Sequence, residues 1–131
     1  MKKCFCALLT LLLITACHES LADRAERDAK DYTERFCPTP IVNDTRTDSV
    51  TFDKSTLTYT YYCSFFNTYD DSAMVAENHD ALKASLLQTL KDNTAFKQLK
   101  EAKFRFHYIV NSSSNPEKVL FDEIFTEEQY N

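Results

Sequence analysis

The stretch Thr45–Phe66 constrains the fold of this chain most strongly, because it contains two runs of alternating β-forming residues. In the second run, every other residue from Leu57 to Phe65 is apolar or aromatic, and threonine and serine occupy most of the positions between them. This alternation is typical of antiparallel strands that bury one face. Polar residues at 53–56 join the runs and predict a hairpin with a connection of about four residues.

Composition excludes several classes of site. The 131 residues suffice for one domain and include no glycine. Phosphate loops, dinucleotide fingerprints and nucleophile elbows need glycine where the backbone turns sharply or approaches a ligand. The formal net charge of -5 disfavours nucleic acid as a partner. Without glycine, we expect asparagine to take left-handed backbone positions. Examples are Asn43, Asn67, Asn93 and Asn111.

The N-terminal segment predicts export. In residues 1–16, a pair of lysines near the start is followed by an apolar run of about 13 residues. Such a run is typical of a signal peptide and is shorter than the roughly 20 residues that a membrane-spanning helix needs.

Two cleavage sites remain open. Ile14–Cys17 resembles the lipobox of bacterial lipoproteins, which implies cleavage before Cys17, lipidation of Cys17 and, with His18 next to it, anchoring to the outer membrane. The alternative is ordinary cleavage after Ala22, so that residues 1–22 are the signal peptide and the product is soluble periplasmic or secreted.

Residues 17–131 are expected to form a single α+β domain. Apolar residues at helical spacing predict helices at 19–36, 79–91 and, more briefly, 95–102. Alternation at 103–110 and 118–125 predicts a second pair of strands. The order α-β-β-α-β-β favours a small antiparallel sheet of about four strands with helices packed on one face. We expect a polar connection at 67–78 and a frayed acidic tail after Phe125.

The cysteines that remain after export predict one disulfide. Cys37 and Cys63 would join the end of the first helix to the second strand in an oxidising compartment. A redox site would need a Cys-x-x-Cys pair or a nearby histidine, and His79 and His107 do not have metal-ligand spacing. We therefore expect no metal and no cofactor.

One face of the predicted sheet is a candidate binding surface. Tyr62, Arg105 and His107 point away from the apolar positions, and tyrosine and arginine are enriched at interfaces. The alternative is the ordinary solvated side of an antiparallel sheet. His107 could also meet Asp122 and Glu123 on neighbouring strands, but nothing in the pattern fixes a catalytic site. We therefore expect no enzymatic activity.

Three segments carry a resemblance to a known group of proteins. They are Thr-Arg-x-Asp-Ser-Val at 45–50, Leu-Thr-Tyr-x-Tyr at 57–61, and the late strand at 104–110. The chain resembles a group of small exported bacterial proteins of uncharacterised function, many of them lipoproteins. More distantly, its layout resembles the pilotin lipoproteins of type II secretion, which bind the C-terminal segment of a secretin and carry it to the outer membrane.

These features predict an exported, lipid-anchored binding or adaptor protein of the bacterial envelope whose partner is an envelope protein. The alternative is a soluble periplasmic inhibitor or immunity-type protein, whose acidity would suit a basic partner.

Overall fold

The computed structural model describes residues 19–131, in which the predicted helices and strands occur in the expected order together with two further short helices. Their bounds are α1 (Leu21–Phe36), β1 (Thr45–Asp53), β2 (Thr58–Phe65), α2 (Ser72–Glu77), α3 (His79–Asp92), α4 (Lys97–Glu101), β3 (Arg105–Ser112), β4 (Val119–Phe125) and α5 (Glu127–Tyr130). Short 3-10 turns at Asn67–Tyr69 and Thr94–Phe96 precede α2 and α4. The signal peptide at 1–16 and the lipidation site Cys17 lie outside the described residues.

The strands form one four-stranded sheet in the order β1-β2-β3-β4. The α+β class is confirmed, but the expectation of an antiparallel sheet throughout is wrong, because β2 and β3 run parallel. The outer pairs, β1 with β2 and β3 with β4, are antiparallel. The chain between β2 and β3 passes through α2, α3 and α4 and returns to the end of the sheet where β2 began. Such a helical crossover joins parallel neighbours.

Helix α1 begins and ends at clear signals. The Ser20 side chain accepts a hydrogen bond from the Asp23 N–H and caps the first turn. Ala25 and Ala29 are the buried residues of the helix, and their small side chains allow it to lie close to the sheet. The helix ends at Phe36, shortly before Pro38, which cannot continue it.

The core lies between the helices and one face of the sheet. The larger cluster joins α1, α3 and α5 to the strands, and the smaller one lies under α2. Phe104, Phe106, Phe125, Leu90 and Val75 are the largest fully buried side chains. Within residues 19–131, no helix covers the opposite face of the sheet, which we call the open face. No helix in this part of the chain has both the length and the apolar content to cross a membrane.

Two segments differ from expectation. The polar connection contains α2, because the Asp71 carboxylate caps the N–H groups of Ala73 and Met74 and Val75 is buried. The tail does not fray. Thr126 and Gln129 form a capping box that starts α5, and Tyr130 is buried with its hydroxyl donating to the Phe104 carbonyl at 2.8 Å.

Candidate functional site

The candidate site is a groove between the helices on the covered face of the sheet. Helix α1 packs chiefly on β1, whereas α3 packs against α5 and β4. Side chains of α3 pack over β3, whereas the inward side of β2 beside α1 is only partly covered. At the start of α1, the segment before and within α4 lies across the groove, and Arg24 donates to Gln98 at 2.8 Å.

The groove contains a mainly apolar cavity of about 310 Å³. Its lining comes from α1, β1, β2 and the turn before α4, and consists of Asp28, Ala29, Tyr32, Val50, Tyr59, Tyr61 and Phe96. The open end of the α1 wall carries unusual apolar exposure, since Tyr32 is 40% and Phe36 is 60% exposed. Their rings lie 5.4 Å apart, one helical turn from each other.

Tyrosines form the floor of the groove. Tyr61 of β2 stacks on Tyr108 of β3 with ring centroids 5.0 Å apart. The Tyr59 hydroxyl donates to the Ala25 carbonyl at 3.0 Å, but among residues 19–131 the hydroxyls of Tyr61 and Tyr108 make no hydrogen bond. Burial raises the pKa of Tyr59 and of Tyr108 to about 12 and also raises that of Tyr61. These phenols are therefore neutral donors at any physiological pH.

A second cavity of about 300 Å³ lies against the first half of α3. Tyr69 and Met74 contribute to it together with Ala81, Leu82 and Ser85 of α3. The apolar surface of the helical layer thus extends beyond the tyrosine floor towards α2.

The predicted binding residues lie on the open face. In the register of β2 and β3, Arg105 is opposite Thr58 and His107 is opposite Thr60, whereas Tyr62 is opposite Ile109. The sheet thus places these three side chains on the same face, with Tyr62 displaced one step along it. The His107 Nε2 atom is 2.5 Å from an Asp122 oxygen, so that His107 is already engaged within the chain.

Of the three residues that could form an acid–base site, the structure brings His107 and Asp122 together and places Glu123 elsewhere. Asp122 joins His107 on the open face, but Glu123 points to the helical side. There it lies 3.0 Å from the His79 Nε2 and 3.3 Å from the Lys83 Nζ, both on α3. Glu123 therefore ties α3 to β4. Residues 19–131 also contain no cluster of histidine, cysteine or carboxylate side chains suited to a metal ion.

Cys37 and Cys63 are free thiols in the structure. Cys37 follows α1, and Cys63 lies on β2, two residues beyond Tyr61. Burial raises the pKa of the Cys63 thiol to about 11 and is also the main cause of the raised pKa of Cys37.

The sequence pattern predicts core positions for the groove residues and does not mark them as a site. The signal was the chemistry of the inward positions, where Tyr32, Tyr59, Tyr61 and Tyr108 all carry hydroxyl groups. A buried tyrosine usually needs a hydrogen-bond partner, so that inward tyrosines such as Tyr61 and Tyr108 indicate a surface that is only partly filled by the protein itself.

Two solved structures have a similar fold. One is a candidate secreted protein of Pseudomonas aeruginosa (PA3611), with a TM-score of 0.69, 18% identity, and coverage of 86% of this chain and 98% of that chain. The other is EpsS, the pilotin of the Vibrio vulnificus type 2 secretion system, with a TM-score of 0.63, 12% identity, and coverage of 82% and 89%. At these identities the likeness concerns the fold alone.

Sequence comparison gives a family but no characterised relative. A search of curated proteins finds no match. The model of the family DUF8479, described as a domain of unknown function, matches residues 20–121, which include α1, the groove and most of the sheet. The chain therefore belongs to the DUF8479 family.

Proposed function

We propose that this protein is an exported, non-enzymatic adaptor of the bacterial envelope that binds an apolar segment of an envelope protein in the groove between α1 and the turn before α4. The observation that carries this proposal is the tyrosine floor. Tyr61 and Tyr108 present hydroxyls without partners in the described chain, beneath a wall on which Tyr32 and Phe36 remain exposed. A concave, mostly apolar site with a few polar groups is the usual form of a binding site.

The size of the groove favours a peptide segment as the ligand. A cavity of about 310 Å³ accommodates a few side chains, and the exposed aromatic surface continues beyond it along α1. An amphipathic segment would place its apolar face in the groove and hydrogen-bond its polar groups to the phenols. Because EpsS is a pilotin of a secretion system and shares the fold, a secretion-system protein of the envelope is the class of partner we propose.

The alternative mode, addition of a strand to the edge of the sheet, is disfavoured at β1. Thr33 of α1 bonds both the N–H and the carbonyl of Val50 at 2.8 Å. Thr39 bonds both backbone groups of Thr47, at 2.9 and 3.0 Å. These contacts occupy backbone groups that an incoming strand would need.

The start of α1 supports cleavage before Cys17 and lipidation of that cysteine. Cleavage after Ala22 would remove the Ser20 cap, the Leu21 side chain that packs on the core, and Glu19, which pairs with Arg27. Cleavage before Cys17 keeps the complete helix. We therefore propose a lipid anchor, with the outer membrane as its destination, and a domain that faces the periplasm.

Matched charge substitutions on the two faces test the proposal. Tyr32→Glu alters the groove wall, and Tyr62→Glu alters the open face at nearly the same exposure, 40% against 39%. Each variant carries a C-terminal tag and is crosslinked mildly in its native envelope. We expect an envelope protein to be captured by the wild type and by Tyr62→Glu, and lost with Tyr32→Glu. Loss with Tyr62→Glu alone would assign binding to the open face and overturn the groove as the site.

A further inference from the structure

The two thiols lie on the elements that form the wall and the floor of the groove. Cys37 is the residue at which α1 ends, and its N–H donates to the Thr33 carbonyl at 3.1 Å. Cys63 points to the helical side of the sheet, where it packs with the core cluster next to Tyr108. One cysteine thus terminates the groove wall and the other lies beside the groove floor.

A chain of contacts brings the two cysteines towards each other. The segment after α1 runs along the edge of β1, where the Thr39 N–H donates to the Thr47 carbonyl at 2.9 Å. Thr47 is the cross-strand partner of Cys63, and the Cys63 Sγ approaches the Thr47 Oγ1 at 4.0 Å. The strand β1 alone therefore lies between Cys63 and the segment that follows Cys37.

We propose that Cys37 and Cys63 form a disulfide that fixes the end of α1 as the wall of the groove. The pair is oxidised by a disulfide-bearing thiol oxidase in the compartment to which the protein is exported. The two thiols lose two protons and two electrons, one S–S bond forms between the Sγ atoms, and the disulfide of the oxidase is reduced to two thiols. The consequence for binding rests on the proposed function, whereas the bond itself does not.

The environment of the thiols explains why the reaction needs an oxidase. Burial, and to a smaller extent the Asp48 carboxylate, raise the pKa of both thiols, and Cys37 itself raises that of Cys63. The thiolate fraction at neutral pH is therefore small, and uncatalysed oxidation is slow. The effect of Cys37 on the pKa of Cys63 also agrees with their proximity.

The bond would act on the part of α1 that is exposed. Phe36 directly precedes Cys37, and Tyr32 lies one turn earlier. In the reduced protein, the Thr33 contacts with Val50 hold this last turn against the sheet. A covalent tie to β2 adds a second fixed point, which preorganises the aromatic wall and reduces the entropy lost on binding.

Thiol mapping tests the bond directly. The protein is isolated from its native envelope without reductant, free thiols are alkylated, and the peptides are identified by mass. We expect Cys37 and Cys63 to resist alkylation and to appear in one linked peptide, and to be alkylated after reduction. In a Cys37→Ser variant, Cys63 should be alkylated without reduction. Alkylation of both cysteines in the unreduced wild type would overturn the proposal, whatever the groove binds.

Hydrogen exchange tests the effect on the groove wall. Amides 31–36 should exchange about tenfold more slowly in the oxidised than in the reduced protein, while exchange in α3 should be unchanged. Equal exchange of 31–36 in the two states would overturn the role of the bond in fixing the wall. A failure of the groove to bind would instead leave both results intact and would count against the proposed function alone.

Discussion

At the scale of single residues, Lys103 shows how a chain without glycine ends a helix. Its φ of 64° is left-handed, and it follows α4 in a Schellman arrangement. The Phe104 N–H donates to the Leu99 carbonyl and the Lys103 N–H to the Lys100 carbonyl, both at 3.0 Å. Glycine is usual at this position because a left-handed conformation is costly for a residue with a Cβ atom.

Lys103→Gly should therefore stabilise the protein. Relief of the left-handed strain exceeds the extra backbone entropy of glycine, and we expect the free energy of unfolding to rise by about 0.5–1 kcal/mol. The Lys103 contact with Glu127, at 3.8 Å and well exposed, contributes little to stability.

Lys97→Gly is the matched control, since Lys97 has helical φ and ψ of -51° and -50°. It should destabilise by about 1 kcal/mol, measured by urea denaturation. Destabilisation by both variants would contradict the argument.

The left-handed positions were only partly predictable. Asn43 and Asn67 adopt positive φ as expected, but so do Asp44, Leu57 and Lys103. The expectation was wrong for Asn93, with φ of -76°, and for Asn111, which lies within β3. Tertiary packing decides which residue adopts the left-handed conformation. Leu57 and Phe104 pack into the core, and this fixes the backbone at Leu57 and at Lys103, the residue before Phe104.

At the scale of elements, Thr33 joins α1 to the edge of the sheet. Its hydroxyl donates to the Val50 carbonyl and accepts from the Val50 N–H, both at 2.8 Å. Thr33→Val keeps the shape but leaves two backbone groups of β1 without a partner. We expect a loss of about 1–2 kcal/mol in the free energy of unfolding.

Thr89→Val provides the control for this prediction. The Thr89 hydroxyl bonds the Ser85 carbonyl within its own helix and is exposed. Its replacement should change stability by less than about 0.5 kcal/mol in the same denaturation series. A Thr33→Val variant as stable as Thr89→Val would show that water satisfies the Val50 groups and that α1 is held by apolar packing alone.

Asp70 links the turn after β2 to the loop between β3 and β4. Its carboxylate accepts from the Ser113 Oγ at 3.1 Å and the Ser114 N–H at 2.9 Å. Hydrogen bonding by Ser112, and then by Ser114, lowers the pKa of Asp70 to about 2. Since this pKa lies below the unfolded value, the link stabilises the fold above roughly pH 4 and is lost as pH falls towards about 2.

A carboxyl titration by NMR tests the Asp70 link. We expect the Asp70 side chain to titrate near pH 2 and the stability of Asp70→Asn to fall less than that of the wild type between pH 5 and pH 2. An ordinary Asp70 titration near roughly pH 4 would contradict the link.

At the scale of the whole molecule, local pattern predicted most of the elements and the α+β class, but not the parallel pairing of β2 and β3. Alternation at Leu57–Phe65 and leucine spacing in α3 sufficed to place a strand and a helix, because one buried face determines both patterns. The parallel pairing of β2 and β3 depends on the path of the crossover, which no local pattern encodes. The groove likewise depends on where α1 and the turn before α4 lie over the sheet.

Cys37 ends the helix that forms the groove wall, and Cys63 lies on the strand that contributes Tyr59 and Tyr61 to the groove. A bond between Cys37 and Cys63 would close a loop that contains β1 and most of β2. On the chain-entropy account such a loop contributes on the order of 3–4 kcal/mol to stability. The rigidity of the groove wall would then depend on export into an oxidising compartment.

Site-specific photocrosslinking tests the groove most directly. A photoreactive phenylalanine analogue is placed at Tyr32 in the groove wall or at Tyr62 on the open face, and the protein is illuminated in its native envelope. The two positions match in residue type and in exposure, 40% and 39%. We predict that one envelope protein crosslinks at position 32 and not at position 62, through an amphipathic segment. Crosslinking of that protein at position 62 alone, or no crosslink at 32 while the chain is folded and anchored, would contradict the assignment of the groove as the binding site.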